Sequence, residues 1–172
     1  MTTLFPGLLA AEDIHPLFVH FPVALWPTAA AFYAFGVFKD HQGALDAGRW
    51  LAYVGLAGAA AALLTGFLAA DRLGHASAGH EHVHVHRNWM IAATVVVGAA
   101  AAVARWAATR VSPRLQGVAL ALLLAGVGVT MLGADRGARL VFEFGMGVSD
   151  QVAAPTGGHH GGGHEDHGGH AH

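Results

Sequence analysis

The chain has 172 residues, no cysteine, 12% charged residues and a formal net charge of −2. It is 54% hydrophobic with a mean hydropathy of +0.46, which lies outside the soluble range and points to a membrane protein. The missing cysteines exclude thiolate metal sites, iron–sulfur clusters and covalent haem attachment, and no basic patch offers itself to nucleic acid.

The opening segment, residues 1–15, contains a short apolar run without basic residues before it. It is therefore expected as an extracytoplasmic tail rather than a cleaved signal peptide, with the first span acting as an uncleaved signal. Four apolar stretches then reach the roughly 20 helical residues that cross a hydrocarbon core of about 30 Å. They cover 16–38, 50–70, 89–108 and 115–134. Arg105 lies near the end of the third and can snorkel to the interface. The expected fold is all-α, a bundle of four transmembrane helices occupying 16–150. The run "LVFEFGMGV" (140–148) is too short to span and reads as a surface or re-entrant piece. Residues 151–172 are rich in Gly and His, cannot bury a core, and are expected to be disordered.

Four spans put both termini and the 71–88 loop on one side. Thirteen of the fourteen histidines fall there, with only His41 opposite. Lys39, Arg49, Arg105, Arg110 and Arg114 flank the other side, against Arg72, Arg87, Arg136 and Arg139 on the histidine side. That small excess orients the histidines outward from a bacterial inner membrane.

The first span carries His20, an ionisable group that is costly inside a membrane helix and so a candidate cofactor ligand. The plainer reading is that His20 satisfies the carbonyl of Phe18, which Pro22 deprives of its donor. His15, one turn and a half earlier, points elsewhere round the helix and is expected at the interface. In the loop, "HEHVHVH" (80–86) offers metal-ligand spacing under either local structure. On a helix His80/His84 and His82/His86 form four-residue pairs; on an extended segment all four share a side. In the tail, His159, His160, His164, His167, His170 and His172 form a tract of the kind that binds borderline divalent metals. Met90, Met131 and Met146 fall at the same end, but methionine in membrane helices is usually packing and adds little to a case for copper.

The second and fourth spans end alike, in "FLAADRLG" (67–74) and "MLGADRGA" (131–138). The offset that carries Phe67 onto Met131 also carries Val19–His20 onto Val83–His84, and a slip of two selects His86. It predicts two pseudo-symmetric helical hairpins about an axis along the membrane normal, with His20 facing His84 or His86 at the outer end. Asp71–Arg72 and Asp135–Arg136 would end their helices at that level, either orienting histidines or simply stopping the spans.

"HPLFVHFPVAL" (15–25) and "GARLVFEFGMGV" (137–148) resemble the family known as domain of unknown function 2231, over residues 14–150. The matching positions are His15, Pro16, His20, Pro22, Leu140, Val141, Phe142, Gly145, Gly147 and Val148. Members of that family often have a histidine where this chain has Phe144, so the resemblance carries no ligand role to that position. It implies a small four-helix bacterial membrane protein and no established activity.

Three functions follow as expectations. The first is binding of a transition metal (zinc, copper or nickel) through the histidine-rich face and tail. The second is a b-type haem held by His20 and His84 or His86 in an electron-transfer protein. The third is an accessory role in a larger membrane complex, with other subunits or a second copy as partners beside the lipid bilayer. No nucleophile, base and orienting acid occur together, and no phosphate-binding loop is present, so an enzyme is not expected.

Overall fold

The computed structural model describes residues 14–72 and 80–145, with Asp71 and Arg72 as backbone only. They form four helices: α1 (His15–Lys39), α2 (Gln42–Arg72), α3 (His80–Arg110) and α4 (Pro113–Phe142). All four are long and apolar enough to cross a membrane. The described residues thus form an all-α, four-helix membrane bundle. Large apolar side chains such as Phe32, Phe35, Leu64, Val95 and Leu124 point outward, as lipid-facing residues must when the solvent is hydrocarbon.

The core is lean. Trp26, Tyr33, Leu45 and Val97 are its largest fully buried apolar side chains, and alanines fill most of the rest. Without a hydrophobic drive between helices in lipid, small residues allow the close backbone approach that stabilises the bundle. Gly55 and Gly126 show it directly: an added Cβ would lie 2.5 Å from Trp26 Nε1 and 2.4 Å from Val97 Cγ2, respectively. The Trp26 Nε1 and Tyr33 hydroxyl are buried without a hydrogen-bond partner.

The helices pair as two hairpins, α1–α2 and α3–α4, packed closely within each hairpin and more sparsely between them. The second hairpin repeats the first at the offset that carries Asp40 onto Val111. Both of those residues take left-handed backbone angles (φ 50 and 48) at the two tight turns. Next comes a cap of different chemistry but the same geometry. The Ala44 N–H donates to His41 Nδ1, and the Leu115 N–H donates to Ser112 Oγ. In the turns themselves, His41 N–H bonds to the Gly36 carbonyl and Ser112 N–H to the Ala107 carbonyl.

Two sequence expectations change. Residues 71–88 are not a loop throughout: α2 continues to Arg72 and α3 begins at His80. The stretch 80–88 contains no proline or glycine to stop the helix, and its side chains find partners along it. Likewise the run at 140–148 is not a separate piece at its start. Residues 140–142 close α4, and Leu140 is buried. The Asp135–Arg136 pair does not end that helix, because Arg136 satisfies itself locally, donating to the Leu132 carbonyl and lying over the Trp89 ring at 4.5 Å. The α3 helix has 31 residues, about 46 Å at 1.5 Å per residue. That exceeds the hydrocarbon core by about three turns, so the helix is long enough for an end to extend beyond it.

Candidate functional site

The first residue of α1, the end of α2, the start of α3 and the end of α4 meet at one end of the bundle. There the helical form of 80–86 distributes its histidines by angle. His80 and His84 are one turn apart and their Nε2 atoms approach to 3.1 Å, with the rings edge-on. Two imidazole nitrogens on one tetrahedral metal at 2.0–2.1 Å stand about 3.3 Å apart, so the pair is already at ligand spacing. The other expected pair is not formed. His82 stacks on Phe144, ring centroids 4.9 Å apart, whereas His86 turns inward to α4.

His86 Nδ1 lies 2.8 Å from the Gly133 carbonyl. A carbonyl only accepts, so Nδ1 carries the proton and Nε2 the lone pair. His15 makes the matching contact in the first hairpin: its Nδ1 is 2.8 Å from the Ala62 carbonyl, with Thr65 Oγ1 at 3.4 Å. His86 follows His15, and Gly133 follows Ala62, by the same offset that relates the turns at Asp40 and Val111. One helical turn beyond each carbonyl is a glycine, Gly66 or Gly137. A Cβ there would come within 3.0 Å of His15 Cε1 or 2.8 Å of His86 Cε1. Each imidazole therefore lies against bare backbone of its partner helix, held by a carbonyl on one side and admitted by a missing side chain on the other.

His20 is elsewhere. It is exposed on α1, with Nδ1 2.6 Å from the Pro16 carbonyl of its own helix. The bond is of the local backbone kind that the plainer reading anticipated, although the acceptor is Pro16 rather than Phe18. The structure does not bring His20 to His84 or His86, and the residue that matches His86 is His15. Among the described residues no group of three or more His, Asp or Glu side chains is arranged to hold an ion. His159, His160, His164, His167, His170 and His172 lie outside the described residues, as does the expected disorder of 151–172.

Cationic side chains frame the same end. Arg87 lies over the Phe67 ring at 5.2 Å, and Arg139 forms a two-pronged bond to Glu143. The opposite end carries Trp50 and Trp106 on the outer surface, with Arg110 over Trp106, the arrangement of an interfacial aromatic belt.

Residues 11–150 match the family described as predicted membrane protein DUF2231. This chain belongs to that family. No curated protein and no solved structure matches it.

Proposed function

We propose that this DUF2231 protein binds a transition metal ion at the histidine-bearing end of its bundle, on the extracytoplasmic face of the inner membrane. The observation that carries the reading is the 3.1 Å approach of His80 Nε2 to His84 Nε2 across one turn of α3. Two neutral imidazoles at that spacing form half of a tetrahedral site for zinc, copper or nickel. The remaining ligands come from the histidines of the tail or from water, and tethering gives those tail histidines a high effective concentration over the pair. The role is capture and retention of metal rather than catalysis.

Zinc and nickel equivalents, counted by elemental analysis on the full-length protein in detergent after dialysis, test this. His80→Ala with His84→Ala should weaken the tightest site at least tenfold, and removal of 157–172 should lower the number of equivalents bound. An unchanged tightest site in the double variant would sink the reading.

A further inference from the structure

The buried hydroxyl of Tyr33 takes part neither in the metal site above nor in the histidine clasps. We propose that it binds one internal water molecule, held in the seam between the two hairpins by Tyr33, Arg49 and the backbone of α3. The site lies toward the other end of the bundle, between the last turns of α1 and the first turns of α2. It shares no residue with the His80–His84 pair and stands independently of it.

Two independent observations meet there. Tyr33 is 1% exposed, and its hydroxyl is buried without a hydrogen-bond partner among the described residues. A hydroxyl in that position is costly unless a polar group reaches it. The same residue lines a cavity of about 10 Å³ between the hairpins, which is about the space that one water molecule needs. A ligand of several heavy atoms would need far more room, so size selects water.

The walls supply what a buried water requires, which is two to four polar partners. Tyr33 offers a hydroxyl that both donates and accepts. Arg49 lines the cavity too. Its bond to Asp46 is made through Nη2, and the guanidinium has further donors on Nη1 and Nε. Ala100, Ala101 and Ala104 form the facing wall. Side chains this small bring the α3 backbone close, and each carbonyl there has a lone pair beyond the one its helical bond uses. A single water can thus accept from Arg49, pair with Tyr33 and donate to α3. It would tie the first hairpin to the second where contact between them is sparser than within either.

The test reads the state of the Tyr33 hydroxyl in the full-length protein in detergent. The chain has two tyrosines, so in the Tyr53→Phe protein the tyrosine Fermi doublet of the ultraviolet resonance Raman spectrum reports Tyr33 alone. Its intensity ratio separates a hydrogen-bonded phenol from an unbonded one, and the bonded ratio is expected. Ala104→Val and Ala119→Val, each in that background, put methyl groups into the cavity. In either, the ratio should move to that of an unbonded phenol while the helical circular dichroism is retained. Tyr33→Phe keeps the ring and removes only the hydroxyl, and should lower the unfolding temperature because the water loses a partner. An unbonded ratio in the Tyr53→Phe protein would overturn the proposal. So would a bonded ratio that survives both valine substitutions, since the hydroxyl would then have a direct protein partner. A Tyr33→Phe protein as stable as the parent, or more so, would overturn it as well, because deleting an unpaired buried hydroxyl costs nothing. The His80→Ala, His84→Ala protein should keep the parent's Raman ratio, so the metal reading and this one fail separately.

Discussion

The two hairpins share a frame and differ in filling. Turn, cap and histidine clasp recur at one common offset, whereas the cores do not. At the positions where α1 places Trp26 and Tyr33, α3 has Val97 and Ala104, and all four are buried. Opposite them, Gly48 and Gly55 of α2 correspond to Ala119 and Gly126 of α4. A small cavity of about 10 Å³ shows how the halves meet: Tyr33, Gly48, Arg49 and Ala52 line it from one hairpin, and Ala100, Ala101, Ala104, Ala119 and Leu123 from the other. Bulk comes from the first hairpin and space from the second. Identical halves could not do this, because a twofold axis brings like to like: two tyrosines would collide and two alanines would leave a void. What must be kept is whatever closes the turns and seats the histidines. What fills the middle is free to diverge, provided the volumes add up.

The largest expected effect breaks that division of labour. Trp26→Ala removes the bulkiest buried side chain and should destabilise the bundle by about 4 kcal/mol. Val97→Ala at the matching position removes far less volume and should cost roughly 1.5 kcal/mol. Thermal unfolding of both variants in the same detergent measures the ratio, and equal losses would show that the two hairpins share the core evenly.

Backbone spacing gives the next comparison. A Cβ on Gly48 would meet the Tyr33 backbone nitrogen at 2.9 Å and the Ala29 carbonyl oxygen at 3.0 Å. Neither atom can move without moving α1. Gly48→Ala should therefore cost about 2 kcal/mol, the usual penalty for overpacking. The second hairpin already has alanine there, at Ala119. Where an added Cβ meets nothing, as at Gly98 or Gly128, the same substitution should raise stability by up to about 1 kcal/mol through helix propensity. A neutral Gly48→Ala would mean that α1 and α2 lie further apart than these contacts require.

Much of this frame is legible in the sequence, and the part that is not has a physical reason. Four spans follow from hydropathy because length and apolarity are what a bilayer selects. The helix ends do not, because polar residues such as those of 80–88 extend a helix without any hydropathy signal. The repeat is visible too, but the Ala-Asp-Arg triplets align Asp71 with Asp135, whereas the folded hairpins align Leu64 with Asp135. The discrepancy is about two helical turns, close to a whole number, so faces are preserved while depth shifts by about 10 Å. That is why the triplets pair His20 with His84, whereas the folded hairpins match His15 to His86. The shared triplet is coincidence. The informative pattern is quieter: His15 and His86, each with a small residue and then a glycine one turn on, at Ala62–Gly66 and Gly133–Gly137.

The smallest expected effect concerns a feature that the first hairpin lacks. Arg139 holds Glu143 by two hydrogen bonds of 2.9 and 2.8 Å at the end of α4. The matching positions in the first hairpin are Leu68 and Arg72, which offer no such pair of charges. The guanidinium keeps the Glu143 carboxyl below its ordinary range, chiefly through that hydrogen bond. A carboxylate whose folded pKa is lowered stabilises the fold above its unfolded pKa, and the contribution disappears as pH falls through the folded value. Both side chains are half exposed, so water screens the pair and little global stability rides on it. The expected result is a Glu143 titration, followed by NMR, with its midpoint below that of an unpaired glutamate and returning toward it in Arg139→Gln, while the unfolding temperature at neutral pH is unaltered. A clear loss of stability in that variant would mean that the end of α4 is held by this bridge. In that case the clasp of His86 on Gly133 is not sufficient by itself to fix the second hairpin as the clasp of His15 on Ala62 fixes the first.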